Sequence, residues 1–290
     1  MVEDLSQARC AAHPPSLAFA DMTIFRTAGG RLRPGWYCLL AFFALMATTL
    51  VGITLDLLLR LVPGLPETLH FTIPVLAVAA IAPFLVAGAR RFIDHVPGFE
   101  PGLTRPRTAL PHFLTGLAIG VGVIIAADAV CVALGVAAWH LNLPADRLIP
   151  FVLGPLLAQA VPEELWYRGY LFRNLSAALP PWTAFALTTL AFGAIHLISN
   201  SEATGIGEKL LYMVQAAAFG ALLLACRIIG KNLWLPIGAH AGHNMAMQTF
   251  ITYTPGLYTV LLLTETTIMI ITAGLLLFNR RAPALTKSIP

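Results

Sequence analysis

The sequence predicts an all-α, polytopic membrane protein of about eight transmembrane helices with both termini in the cytoplasm. Three observations carry that expectation. Of 290 residues, 58% are hydrophobic and only 11% are charged, with a mean hydropathy of +0.78. Soluble domains carry about 25% charged residues, so the polar side chains needed to clothe a water-facing surface are missing. Apolar runs of the length that crosses a ~30 Å hydrocarbon core recur along the whole chain and leave no room for a sizeable soluble domain. Finally, the Lys and Arg residues alternate between successive loops as the positive-inside rule requires.

Taken in order, residues 1–35 read as a cytoplasmic tail, with one short apolar piece over 17–25 and no signal-peptide core. Residues 36–278 form the membrane domain, and 279–290 form a second cytoplasmic tail. The spans are expected at 36–61, 69–89, 112–138, 148–168, 181–198, 208–229, 233–253 and 257–278. The first opens on the interfacial pair Trp36-Tyr37 and closes before Pro63-Gly64. Gly116, Gly120 and Gly122 in the third are spaced for close helix approach. The fourth carries Pro155 and Pro162, and Pro162 leaves the carbonyl of Ala158 without its helical donor.

With this count, only Arg60, Arg147 and Lys209 of the eighteen Lys and Arg fall outside. The inside set is Arg9, Arg26, Arg31, Arg33, Arg90, Arg91, Arg105, Arg107, Arg168, Arg173, Arg227, Lys231, Arg280, Arg281 and Lys287. Cys10, Cys38, Cys131 and Cys226 form no C-x-x-C pair, and three of them lie in apolar runs, so neither a disulfide framework nor a cysteine metal site is expected. The chain has no internal repeat, low-complexity stretch or nucleic-acid-binding block.

Three segments place polar groups in apolar surroundings. A charge at bilayer depth costs about 2.5–3.5 kcal/mol on insertion scales, so such groups usually face a cavity or a partner. The first segment is Glu163-Glu164-x-x-x-Arg168, at the inner edge of the fourth span. Glu164 and Arg168 stand four apart and share a helix face, as a brace would. Glu163 is rotated about 100° from them and is free to point into a cavity. The second is Phe192-x-x-x-His196; a lone histidine near a helix end is more often structural. The third is His240-Ala-Gly-His243-Asn244, in a span with no Lys, Arg, Asp or Glu. His240 and Asn244 project together there, and His243 lies beside them with a structural hydrogen bond as its plainer reading.

One carboxylate and two imidazoles meeting in a cytoplasm-facing cavity suit two chemistries. In one, Glu163 is general base to a water that His196 orients, while His240 and Asn244 donate to the oxyanion of an attacked amide. In the other, Glu163, His196 and His240 hold a Zn²⁺ that activates the water. The spacing leaves both open, and the His-Glu-x-x-His helix of soluble zinc proteases is absent.

The ordered set Glu-Glu-x-x-x-Arg, Phe-x-x-x-His and His-x-x-x-Asn over 148–250, with Gly169 after the arginine, resembles the CPBP family of CAAX proteases and bacteriocin-processing intramembrane proteases. That resemblance implies an eight-helix fold that hydrolyses a peptide bond of a membrane-associated protein or peptide, lipidated or not. It implies Glu163, His196, His240 and Asn244 as catalytic residues. Glu164, Arg168, Phe192 and His243 are then supports. Eukaryotic CAAX proteases tend to carry a His-richer second motif, so the chain looks more like the prokaryotic branch, in the cell (inner) membrane. Two other classes compete: a non-enzymatic scaffold or immunity protein that keeps the motifs as a polar core, and a transporter that uses intramembrane Glu and His as a proton relay.

Overall fold

The computed structural model describes residues 24–27, 29–96, 102–103, 106–141, 148–247 and 249–278. Most of the N-terminal tail, the whole C-terminal tail, Cys10, Arg9, Arg105, Arg147, Arg280, Arg281 and Lys287 lie outside the described residues. The described chain forms eight helical rods: α1 Pro34–Leu59, α2 Glu67–Ile93, α3 Pro106–Ala133, α4 Leu148–Ser176, α5 Pro181–Ile195, α6 Ile206–Gly230, α7 Trp234–Ala246 and α8 Tyr258–Phe278. The protein is thus an all-α, multi-pass membrane protein. Six of the rods are long and apolar enough to cross a bilayer. The other two, α5 with 15 residues and α7 with 13, reach only about 20–22 Å at 1.5 Å per residue.

The run expected as a seventh span over 233–253 therefore divides. Its last residues form β2, Ile251–Tyr253, which pairs antiparallel with β1, Ala137–Trp139, at the end of the run expected as the third span. Ile251, Thr252 and Tyr253 are β-branched or aromatic, which suits a short ribbon better than a helix end.

The helices run up and down. At one end, the carboxylate of Asp94, just past α2, accepts from the hydroxyls of Tyr37 (3.1 Å) and Tyr170 (3.3 Å) and the amide of Asn174 (3.4 Å). These contacts clasp the start of α1 to the ends of α2 and α4, and burial pushes the Asp94 carboxyl above its usual range. Nearby, the indole of Trp234 donates to the carbonyl of Leu103, and the Leu233 amide donates to that of Gly102. At the other end are the β-ribbon, the Arg60–Asp56 pair and a bond from Thr259 to Glu208. Among the described residues, Arg60 and Lys209 belong to this second end, as the charge count requires. Arg168 does not behave as a loop charge: its side chain is fully buried inside the bundle.

The closest helix contact joins α3 to α7. A Cβ on Gly116 would lie 2.0 Å from the carbonyl oxygen of Leu235, and one on Gly120 2.1 Å from that of Ala239. Reciprocally, a Cβ on Gly238 would lie 2.1 Å from the Phe113 carbonyl oxygen, and one on Gly242 2.4 Å from that of Leu117. Two interlocked Gly-x-x-x-Gly faces thus bring backbone onto backbone. Gly122 points into open space, so the expected seam uses Gly116 and Gly120 but not Gly122.

At the centre of the bundle, every residue from Glu164 to Phe172 is buried. Helix α4 also winds unevenly. Gly154–Ala160 and Leu165–Leu171 are wide π-type turns on either side of one tighter turn, Val161–Glu164. Pro155 and Pro162 remove regular i→i−4 donors here, and the Val161 amide instead reaches back five residues to the Leu156 carbonyl. Such turns recur at functional sites because they re-aim side chains.

Candidate active site

The fourth span was expected to end at Arg168. It continues through Phe172–Ser176, because Tyr170, Leu171, Phe172 and Leu175 are buried in the core. Glu163 and Glu164 consequently sit well inside the bundle rather than at its inner edge.

The tight turn between the two π segments splits the acidic pair. Glu164 is fully buried, and its Oε1 accepts from Arg168 Nη1 at 2.8 Å. The second guanidinium nitrogen, Nη2, donates to the Gly220 carbonyl at 3.0 Å, and the guanidinium carbon lies 4.3 Å from the centre of the Phe192 ring. A Cβ at Gly220 would press on Phe192 at 3.1 Å, so that glycine makes the room. Glu164 Oε1 also lies 2.9 Å from His240 Nδ1. The brace expected between Glu164 and Arg168 thus exists and extends to a third residue.

That third contact sets the histidine. With Glu164 as acceptor, His240 Nδ1 carries a proton, and Nε2 is turned to the other side of the ring, 3.8 Å from Glu163 Oε2. Glu163 itself is 20% exposed, against 0% for its neighbour. The exposed Gln159 stands one turn earlier on α4. The open edge of the site is therefore formed by Glu163 and Gln159. Two clefts elsewhere, one between α1 and α2 lined by Asp56 and His70 and one beside Trp36 and Phe43, are away from these residues.

His196 caps α5, with Nδ1 2.9 Å from the Phe192 carbonyl; Nδ1–H donates there, which turns Nε2 away. Its ring lies 5.1 Å from that of Phe192 and 5.6 Å, edge-on, from Tyr212. Glu163 and His240 both lie within electrostatic reach of it. Gly193 lets α5 close on α6, since a Cβ there would meet the Met213 carbonyl at 2.8 Å. The Phe192 ring touches Tyr167, Arg168, His196 and His240 and so is the hub of the cluster.

His243 and Asn244 form an adjoining network. The His243 ring stacks on Phe219 at 3.9 Å and 22°, and its Nδ1 lies 2.9 Å from Asn244 Oδ1. Asn244 Nδ2 donates to Gln159 Oε1 at 2.6 Å. Phe219 also meets His240 edge-on at 5.0 Å, which ties the two networks together.

Sequence reasoning missed Gln159, Tyr212, Phe219 and Gly220. Gln159 alone left a signal, as a polar residue in an apolar run four positions before Glu163. The others look like ordinary membrane-helix residues.

The expected zinc ligands meet only in part. Glu163 Oε2 and His240 Nε2 approach to 3.8 Å, but among the described residues no group of three His, Cys, Asp or Glu is spaced to hold an ion.

Residues 145–246 match the family model described as Type II CAAX prenyl endopeptidase Rce1-like. No curated protein matches the chain. The matched segment holds all three motifs and runs from just before α4 to the last residue of α7. That segment of the chain is similar to CAAX prenyl endopeptidases.

Proposed function

We propose that this protein is an intramembrane endopeptidase in which Glu163 activates a water against a peptide carbonyl. The observation that carries the reading is the approach of Glu163 Oε2 to His240 Nε2 at 3.8 Å while His240 Nδ1 is held by buried Glu164. Glu163, at the open edge, takes a proton from the water, and His196 Nε2 orients that water. The hydroxide adds to the carbonyl carbon, and the carbonyl oxygen becomes an oxyanion. Its donors are His240 and Asn244. Because His240 Nδ1–H is committed to Glu164, Nε2 donates only from the imidazolium form, and the Glu164 carboxylate stands ready to compensate that charge. The proton on Glu163 then passes to the leaving amine nitrogen as the C–N bond breaks, which returns the carboxylate.

The family description points to prenylated CAAX proteins as one substrate class, and we carry a membrane-associated, lipidated peptide forward on that support alone. Placement in a prokaryotic inner membrane rests on the single-histidine form of the Phe192–His196 motif.

The test is cleavage of an internally quenched peptide ending in farnesyl-cysteine and three further residues, by the purified full chain in detergent. Glu163→Ala and His196→Ala are each expected to abolish cleavage while the thermal unfolding midpoint stays within a few degrees. Unchanged activity in either variant counts against the reading. Metal content is measured in the same preparation: activity that survives a chelator supports the side-chain mechanism, whereas inactivation with stoichiometric release of Zn²⁺ replaces it with the metal one.

A further inference from the structure

Asn244 is an oxyanion donor in the reading above, and an amide serves that role only if its N–H₂ end faces the reacting carbonyl. Nothing in the His-x-x-x-Asn motif decides which way the amide lies. The contacts do. Oδ1 accepts from His243 Nδ1 at 2.9 Å, which turns the Nδ2 end the other way, and there it donates to Gln159 Oε1 at 2.6 Å. His243 is in turn clamped against Phe219, 3% exposed and stacked at 3.9 Å. Gln159 belongs to the first wide turn of α4, Gly154–Ala160, and stands four residues before Glu163. One helix therefore presents the proposed base and the residue that holds the proposed oxyanion donor.

We propose that Gln159 is a positioning residue: its side-chain carbonyl fixes the orientation of the Asn244 amide and, through it, the proton position on His243. This rests on the peptidase reading for its catalytic consequence, but its structural half stands alone. Gln159 is exposed, so its side chain fills no space in the core. What it contributes is an acceptor at one place. Leu at this position removes the acceptor and keeps the bulk. Glu keeps an acceptor oxygen, so it is the conservative rescue.

The structural half is read without substrate. In the full chain in detergent, with ¹⁵N-labelled histidine, the His243 ring signals are assigned by their loss in His243→Gln. The wild type and Gln159→Glu are expected to show one tautomer, with the proton on Nδ1. Gln159→Leu is expected to show a mixture, because without the Gln159 acceptor the Asn244 amide loses the contact that favours one orientation. The catalytic half uses the farnesylated peptide. Gln159→Leu is expected to lower kcat about tenfold with KM little changed, a fraction of the loss from deleting an oxyanion donor outright. In an Asn244→Ala background, the same substitution is expected to have no further effect, since the two residues act as one unit. A single Nδ1–H tautomer in Gln159→Leu together with wild-type kcat overturns the proposal. So does a kcat loss that is additive with Asn244→Ala. A wild-type chain that cleaves nothing, or full cleavage by Glu163→Ala, strikes at the peptidase reading instead and leaves the tautomer result to stand by itself.

Discussion

The bundle buries acids in two places and treats them differently. On α4, Glu164 is fully enclosed and meets a guanidinium at 2.8 Å and an imidazole at 2.9 Å. Across the bundle, Glu265 of α8 is 3% exposed and meets the amide of Gln215 on α6 at 2.8 Å; Asp128 of α3, 2% exposed, has an Oδ2 with no hydrogen-bond partner among the described residues. The first site pairs its buried acid with a guanidinium and an imidazole and lies within the matched residues. At the second, the acids Glu265 and Asp128 lie outside the matched residues, and the partner of Glu265 is a neutral amide. Burial of a carboxylate in a membrane helix therefore does not by itself mark chemistry. What distinguishes the first site is its guanidinium and imidazole partners, which compensate and aim the buried carboxylate where lipid offers no polar contact.

Removing the cation gives the largest expected difference between the two sites. Arg168→Met leaves Glu164 enclosed without its guanidinium and is expected to destabilise the protein by about 3–5 kcal/mol, with loss of cleavage. Thermal unfolding in detergent measures it, and a change below about 1 kcal/mol would mean that the pair is not the support described. Next is the seam that delivers His240 to Glu164. Gly120→Ala drives a methyl into the Ala239 carbonyl and is expected to cost about 1–3 kcal/mol, whereas Gly122→Ala, which meets open space, is expected to be neutral or slightly stabilising. Equal effects of the two would place α7 elsewhere. The smallest effect belongs to the second site. Glu265→Gln keeps shape and an acceptor for Gln215, and is expected to shift stability by less than about 1 kcal/mol without changing cleavage. A loss as large as that of Arg168→Met would erase the contrast.

Much of this was legible in the linear chain. The class followed from composition, since 11% charged residues cannot clothe a water-soluble surface. Helix identity followed from apolar run length, and the Glu164–Arg168 brace and the Gly116 and Gly120 contacts followed from residues four apart on one helix. These are local properties, set by helix period and by lipid as solvent.

What lay beyond the sequence is what happens between helices. The fourth helix ran on past its last expected charge because its end is packed in the core, and proline-linked wide turns changed the register that an ideal 3.6-residue period assumes. The seventh run broke into a short helix and a strand because the β-ribbon partner comes from over a hundred residues away. The contacts of Glu164 with His240, of Phe192 with His240 and of Gln159 with Asn244 join residues 76, 48 and 85 positions apart, pairings that no local period encodes. Sequence by itself determined which groups sit at membrane depth, because the bilayer selects residue by residue. Only the tertiary structure decided which ring each carboxylate meets, Glu164 at His240 Nδ1 and Glu163 towards His240 Nε2, because that depends on where another helix brings its side chain.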